Sequence, residues 1–189
     1  MADEMDLDLS QHFSPTYTVP EPVTSDEAAL DIDKIGMIGE SSLRDKGYFT
    51  RIVTAEGMPV RRLMNPQNVR VLIVEDDENV GQLMEYVLHK NGLTTLRARN
   101  RKEIAQGLGG KPYPSLVLLD VMLEDINGFD VLNRIRQHPQ LQHIPVLMVT
   151  SLGERKDVIR GLTLGANGYI TKPVPPSALM QAVETVVAG

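Results

Sequence analysis

Several apolar segments of this chain are followed by polar residues that could act together in chemistry. The carboxylate pair Glu75 and Asp76 follows one apolar run, Asp120 follows a second, Thr150 a third and Lys172 a fourth. Three carboxylates in one place repel one another unless a cation offsets their charge, and an all-oxygen set suits Mg²⁺ better than zinc. A metal ion, a hydroxyl and an ammonium together could each contact one oxygen of a phosphoryl group. The residue types therefore indicate a metal-assisted phosphoryl site, provided that the fold brings them together.

The elements that must position these residues follow from hydrophobic periodicity. Short, almost wholly apolar runs indicate strands that are buried on both faces, and apolar stripes at helical spacing indicate amphipathic helices between them. The predicted strands are 69–74, 93–98, 116–119, 146–149 and 169–170, and the predicted helical stripes are 80–88, 102–108, 129–135, 158–162 and 179–187. Such alternation predicts an α/β fold with a doubly wound parallel sheet, because each parallel connection needs a crossover. Ligands bind such sheets beyond the C-terminal strand ends, where the polar residues lie.

The charge distribution divides the chain into an extension and a domain. Residues 1–33 carry nine acidic residues and no basic one, which is typical of a solvated, irregular tail. Residues 34–66 have a net charge of +3 and enough apolar residues for a short helix or strand, but no clean period. We therefore predict a largely irregular N-terminal extension over 1–66 and one domain over 67–189.

Composition excludes several functional classes. The chain has no cysteine, so disulfides, thiolate metal sites and cysteine nucleophiles are ruled out. It has no apolar run of the roughly 18 residues that a membrane span needs, and its acidic start lacks signal-peptide character, so a cytoplasmic location is expected. The domain carries no net positive charge, which makes a nucleic-acid partner unlikely and a membrane partner unexpected.

Four blocks of sequence resemble the receiver domains of two-component response regulators. The blocks are VLIVEDDENV, VLLDVMLEDINGFDVL, IPVLMVTS and GANGYITKP, and they occur in the order and at the spacing of that family. The similarity covers Val69 to Val187 and implies a five-stranded, flavodoxin-like sheet with strand order 2-1-3-4-5. It is closest in character to a stand-alone, chemotaxis-regulator-like receiver with an N-terminal extension.

The resemblance implies a role for each site residue. Asp120 matches the phospho-acceptor, and Glu75 and Asp76 match the acidic pair that positions Mg²⁺ or Mn²⁺. Met122 matches the position that supplies a backbone carbonyl to the metal. Three further residues match the switch hydroxyl, the aromatic residue that follows it and the phosphate-binding lysine: Thr150, Tyr169 and Lys172. The Lys172–Pro173 bond is a candidate cis peptide.

Three positions near the expected site depart from the family or vary within it. Glu124 stands where the family usually has proline, and we expect a slightly looser loop there. Met122 and Leu152 are apolar, so neither side chain can hold a water molecule in line with an acyl phosphate. We therefore expect slow loss of the phosphoryl group.

Other folds with similar residues fit less well. A haloacid-dehalogenase-like phosphatase would carry a DxD motif after its first strand, and a Toprim nuclease would carry DxD after its third major strand, which here is followed by Asp120-Val121-Met122. A flavodoxin-like FMN carrier would need a hydroxyl-rich loop after the first strand, where this chain has carboxylates that repel phosphate.

The expected function is therefore that of a signalling phosphoprotein in a phosphorelay, and not of an enzyme. A histidine kinase or histidine phosphotransfer protein would donate the phosphoryl group to Asp120. No output domain follows the last predicted helix, so we expect the face formed by the fourth helix, fifth strand and fifth helix, within residues 157–187, to control a partner protein. A phosphorelay intermediate is the first alternative, and output through the extension is the second. The sequence does not identify the kinase, the target, the pathway or the oligomeric state.

Overall fold

The computed structural model describes residues 50–52 and 68–188, which form one sheet flanked by helices. In the described residues the strands are β1 (Thr50–Ile52), β2 (Arg70–Val74), β3 (Thr94–Ala98), β4 (Leu116–Leu119), β5 (Val146–Thr150) and β6 (Gly168–Thr171). The helices are α1 (Glu78–Lys90), α2 (Arg101–Gly109), α3 (Gly128–Gln137), α4 (Arg155–Thr163) and α5 (Pro176–Ala188). Each strand and helix predicted within 67–189 is present, with ends that differ by a few residues.

The sheet order confirms the predicted fold. The strands lie in the order β1-β6-β5-β4-β2-β3, and β2 to β6 are all parallel. Counted within the domain, this is the order 2-1-3-4-5. Since parallel neighbours need crossover connections, the helices lie on both faces of the sheet.

Alternate residues of the central strands face two separate hydrophobic clusters. Val71 and Ile73 of β2 pack in the cluster that includes α1 and α5, whereas Leu72 and Val74 pack with α2, α3 and α4. The period of two along a strand sends successive side chains to opposite faces. Both faces are covered, which explains why the sequence of β2 shows no polar alternation.

Side chains at the helix starts fix where three helices begin. Asp77 accepts hydrogen bonds from the N–H groups of Asn79 and Val80 at the start of α1, and Asn100 and Asn127 cap α2 and α3 in the same manner. Such N-caps satisfy backbone donors that have no partner within the helix. The side chain of Asp77 is thereby assigned to the helix rather than to the acidic site.

One strand of the extension joins the edge of the sheet. β1 pairs antiparallel with β6, with Thr50 opposite Ile170, Arg51 opposite Tyr169 and Ile52 opposite Gly168. The acidic tail predicted for 1–33 and the rest of 34–66 lie outside the described residues. Among the residues that the structure describes, no helix has the length and apolar character required to cross a membrane.

Candidate functional site

Three carboxylates meet at the C-terminal ends of β2 and β4. Glu75 and Asp76 directly follow β2, and Asp120 directly follows β4, its neighbour in the sheet. The backbone N–H of Asp120 donates to the carbonyl of Val74 at 3.0 Å, which continues the strand pairing to the site itself. One carboxylate oxygen from each acidic residue lies within 4.8 Å of the others. The parallel sheet therefore assembles the acidic cluster that the sequence predicted.

Lys172 bridges two of these carboxylates from the end of β6. Its Nζ donates to Glu75 Oε2 and to Asp120 Oδ2, both at 2.5 Å. Burial disfavours the charged lysine, but the hydrogen bonds to Asp120 and Glu75 outweigh burial and raise the pKa of Lys172. The pKa of Glu75 is raised because burial disfavours its charged form more than the hydrogen bond and charge of Lys172 favour it. The backbone N–H of Lys172 donates to the Thr150 carbonyl at 2.8 Å, which holds the lysine in place. Its bond to Pro173 is cis, as the sequence suggested.

The donor set fits a hard divalent cation. Glu75 and Asp120 are almost fully buried, at 1% and 4% exposure, and Asp76 is partly buried. When all three are ionised, the ammonium of Lys172 balances only one of their charges. An oxygen-only cluster with excess negative charge favours Mg²⁺ or Mn²⁺, and these three residues could supply ligands.

Met122 and its neighbours shape the acceptor. Its backbone N–H donates to Asp120 Oδ1 at 3.0 Å, so each oxygen of that carboxylate has a hydrogen-bond donor. Met122 is 58% exposed. The predicted metal contact from its backbone carbonyl remains a prediction.

Of the predicted switch residues, Thr150 lies in the strand next to the strand of the acceptor, and Tyr169 lies two strands away. Thr150 is buried at the end of β5, and its Oγ1 accepts a long hydrogen bond of 3.4 Å from the N–H of Leu152. Tyr169 is buried in β6, and its hydroxyl donates to the Leu152 carbonyl at 2.9 Å. Burial, followed by the charges of Asp157 and Asp120, raises the pKa of Tyr169. Leu152 thus links the threonine hydroxyl to the tyrosine ring through its backbone.

Two glycines make room at the site, and sequence reasoning gave neither this role. A Cβ on Gly128 would lie 2.0 Å from the carbonyl oxygen of Asp120, so α3 can start this close to the acceptor only with glycine there. A Cβ on Gly161 in α4 would lie 2.9 Å from Cδ2 of the Tyr169 ring. Both close approaches depend on how a helix packs against a nearby strand or strand end, which residue spacing alone does not report.

A second charged group near the site was missed. Glu78 accepts from both terminal nitrogens of Arg97, at 2.9 and 3.0 Å, and from Arg99 at 3.1 Å. The hydrogen bond to Arg97 is the main reason that the pKa of Glu78 falls from 4.5 to about 2. The alternation of Arg97 and Arg99 along one side of the chain was the available signal for this network.

Comparisons with known proteins agree with the fold. The family model for the response regulator receiver domain matches residues 71–184 of this chain. The phosphate regulon transcriptional regulatory protein PhoB of Escherichia coli is 35% identical over 118 residues, which are 62% of this chain and 51% of that protein. The chain thus spans about half the length of this curated relative.

Solved structures give the same result. The Mn²⁺-bound form of the response regulator Rcp1 is 30% identical, with a TM-score of 0.54, over 62% of this chain and 91% of that one. The BeF₃-activated N-terminal receiver domain of Klebsiella pneumoniae RstA is 28% identical, with a TM-score of 0.58, over 64% of this chain and 99% of that one. Because the family model covers more than half of the sequence, the chain belongs to the family of response regulator receiver domains.

Proposed function

We propose that Asp120 accepts a phosphoryl group from a histidine kinase or histidine phosphotransfer protein, and that this transfer switches a surface that controls a partner protein. The observation that carries the proposal is the acceptor itself: a buried carboxylate whose two oxygens are held separately by the Met122 N–H and by Lys172 Nζ. On this proposal the chain is a cytoplasmic phosphoprotein that promotes its own phosphotransfer and dephosphorylation, and not an enzyme acting on a separate substrate.

The residues at the site suggest how the transfer proceeds. An Asp120 oxygen attacks phosphorus, the P–N bond of the phosphohistidine breaks, and the imidazole leaves with the electron pair and takes up a proton. Lys172 already lies at 2.5 Å from Asp120 and can move its hydrogen bond to a phosphoryl oxygen. Glu75, Asp76 and Asp120, with the carbonyl of Met122, would hold Mg²⁺ or Mn²⁺, which when bound offsets the charge on the phosphoryl oxygens.

Thr150 and Tyr169 offer a route from the site to the surface. A phosphoryl group on Asp120 presents new acceptors for the Thr150 hydroxyl, whose present contact with the N–H of Leu152 is long at 3.4 Å. Because the Leu152 carbonyl accepts from Tyr169, movement of this segment changes the position of the ring and of α4 beside it. The partner surface would be the face formed by α4, β6 and α5.

Phosphorylation by a small acyl phosphate tests the proposal. We expect wild type to gain one phosphoryl group in the presence of Mg²⁺, measured by intact mass, and Asp120→Asn to gain none. Asp130→Asn is the matched control, because Asp130 is an exposed carboxylate on α3 outside the site. A wild type that stays unmodified, or modification that persists in Asp120→Asn, would refute the assignment.

Output through the extension is a second candidate, and the pairing of β1 with β6 favours it. β1 covers the backbone edge of β6 and also contacts α5, so a piece of the extension lies on the proposed partner face. An uncovered strand edge would offer unpaired backbone groups to another chain. If the extension carries the output, beryllofluoride should change hydrogen exchange at residues 50–52. Partner binding that survives deletion of residues 1–66 would instead argue for the domain face.

A further inference from the structure

The loop between β4 and α3 is attached to the rest of the domain through two consecutive residues. The backbone N–H of Glu124 donates to Asp76 Oδ2 at 3.0 Å, across 48 positions of sequence. The next residue, Asp125, accepts from the N–H of Arg101 at 2.8 Å, and its carbonyl accepts from the Arg101 guanidinium at 2.8 Å. The loop is therefore held to the end of β2 on one side and to the start of α2 on the other. These contacts do not support the looser loop expected from the sequence.

The contact with Asp76 depends on a backbone donor that proline does not have. Glu124 occupies the position at which receiver domains usually have proline, and proline has no N–H. The side chain of Glu124 is exposed and takes no part in this hydrogen bond. The feature of the chain that matters here is thus the presence of any non-proline residue at position 124.

The hydrogen bond from Glu124 restricts the side chain of Asp76, which is the most exposed residue of the acidic cluster. Glu75 and Asp120 are held by Lys172, whereas Asp76 is partly exposed and receives the Glu124 N–H on Oδ2. The hydrogen bond to Oδ2 restricts rotation of the carboxylate and does not involve Oδ1, which can face a cation. A side chain that is ordered before binding loses less conformational freedom when the cation binds.

We propose that the backbone N–H of Glu124 is a positioning group for Asp76, and that it raises the affinity of the acidic cluster for a divalent cation. The inference rests on the proposed function of that cluster, but it concerns a contact specific to this chain. It predicts that the donor at position 124 matters and that the glutamate side chain does not.

The electron paramagnetic resonance signal of free Mn²⁺ measures how tightly the full chain binds the ion, without any phosphotransfer. Variants at position 124 then separate the effect of the backbone donor from the effect of the glutamate side chain. Glu124→Gln keeps the N–H and removes the charge, and it should bind Mn²⁺ about as tightly as wild type. Glu124→Pro removes the N–H and should bind roughly threefold to tenfold more weakly, as expected for one partly exposed hydrogen bond to a charged group. Mg²⁺ competition should show the same ranking.

A second variant guards against a fold defect caused by the proline ring. A backbone ester at position 124, introduced with the α-hydroxy analogue of glutamate, removes only the donor and keeps the side chain. It should weaken Mn²⁺ binding as much as Glu124→Pro. Equal or tighter binding by the ester variant than by Glu124→Gln would overturn the inference while leaving the proposed function intact. A wild type that binds no Mn²⁺ would refute the metal site itself, and the inference with it.

Discussion

Replacing Gly161 by alanine would place a methyl group against the ring of Tyr169. The new Cβ would lie 2.9 Å from Cδ2 and 3.0 Å from Cε2, whereas carbon atoms in ordinary contact are about 3.5–4.0 Å apart. The ring is fully buried, so it cannot yield toward solvent without giving up the hydrogen bond from its hydroxyl to Leu152. We therefore expect Gly161→Ala to displace the tyrosine from its buried position.

The size of the effect follows from three opposing contributions. Alanine in a helix interior stabilises by about 1 kcal/mol relative to glycine. Overpacking costs about 1–3 kcal/mol, and loss of the Tyr169 hydrogen bond costs about 1 kcal/mol. The net result should be a destabilisation of about 1–3 kcal/mol. In a Tyr169→Val background the ring is absent, so Gly161→Ala should stabilise by about 1 kcal/mol.

Urea unfolding of the four proteins in this double-mutant cycle measures the coupling, which we expect to be about 2–4 kcal/mol. Gly109→Ala is the matched control, because Gly109 lies in α2 and a Cβ there meets nothing within 4 Å. If Gly161→Ala stabilises wild type as much as it stabilises the Tyr169→Val protein, the ring does not occupy the position described and the reasoning fails.

Three other predictions concern charge, packing and lifetime at the site. The Glu78 carboxylate has its pKa lowered from 4.5 to about 2, so its ion pairing is complete above pH 4.5 and is lost as the pH falls toward 2. The difference in unfolding free energy between wild type and Glu78→Gln should shrink across that window, and a constant difference would contradict the ion-pair account. Gly128→Ala would put a Cβ 2.0 Å from the carbonyl oxygen of Asp120. It should lower stability by about 3 kcal/mol or more and reduce acyl phosphate labelling, since backbone must move to relieve the clash; a fully stable, normally labelled variant would show that α3 shifts freely. Met122→Asn combined with Leu152→Glu introduces polar groups that can hold water beside the acyl phosphate, so phosphorylated protein should decay at least several-fold faster than wild type. Decay at an unchanged or slower rate would refute the explanation of slow hydrolysis by these two apolar side chains.

The sequence by itself determined the fold and the membership of the site. The central strands of the domain are short apolar runs, and the polar residue that follows each run can be named from the sequence. Because parallel strands end at the same edge of the sheet, the fold must bring these polar residues together. Glu75, Asp76, Asp120, Thr150 and Lys172 could therefore be named from pattern and motif, and the structure places them at one end of the sheet.

Only the tertiary structure decided how these residues are held. The bridging position of Lys172 and the N–H of Glu124 on Asp76 depend on distances between segments far apart in the chain. The space that Gly128 and Gly161 leave depends on how a helix packs against a neighbouring strand or strand end. The pairing of β1 with β6 is of the same kind, because a three-residue strand has no period of its own to read. Hydrophobic periodicity predicts which side of a helix or strand is buried. It does not predict which atoms of two packed elements come into contact, because the packing of the elements determines those contacts.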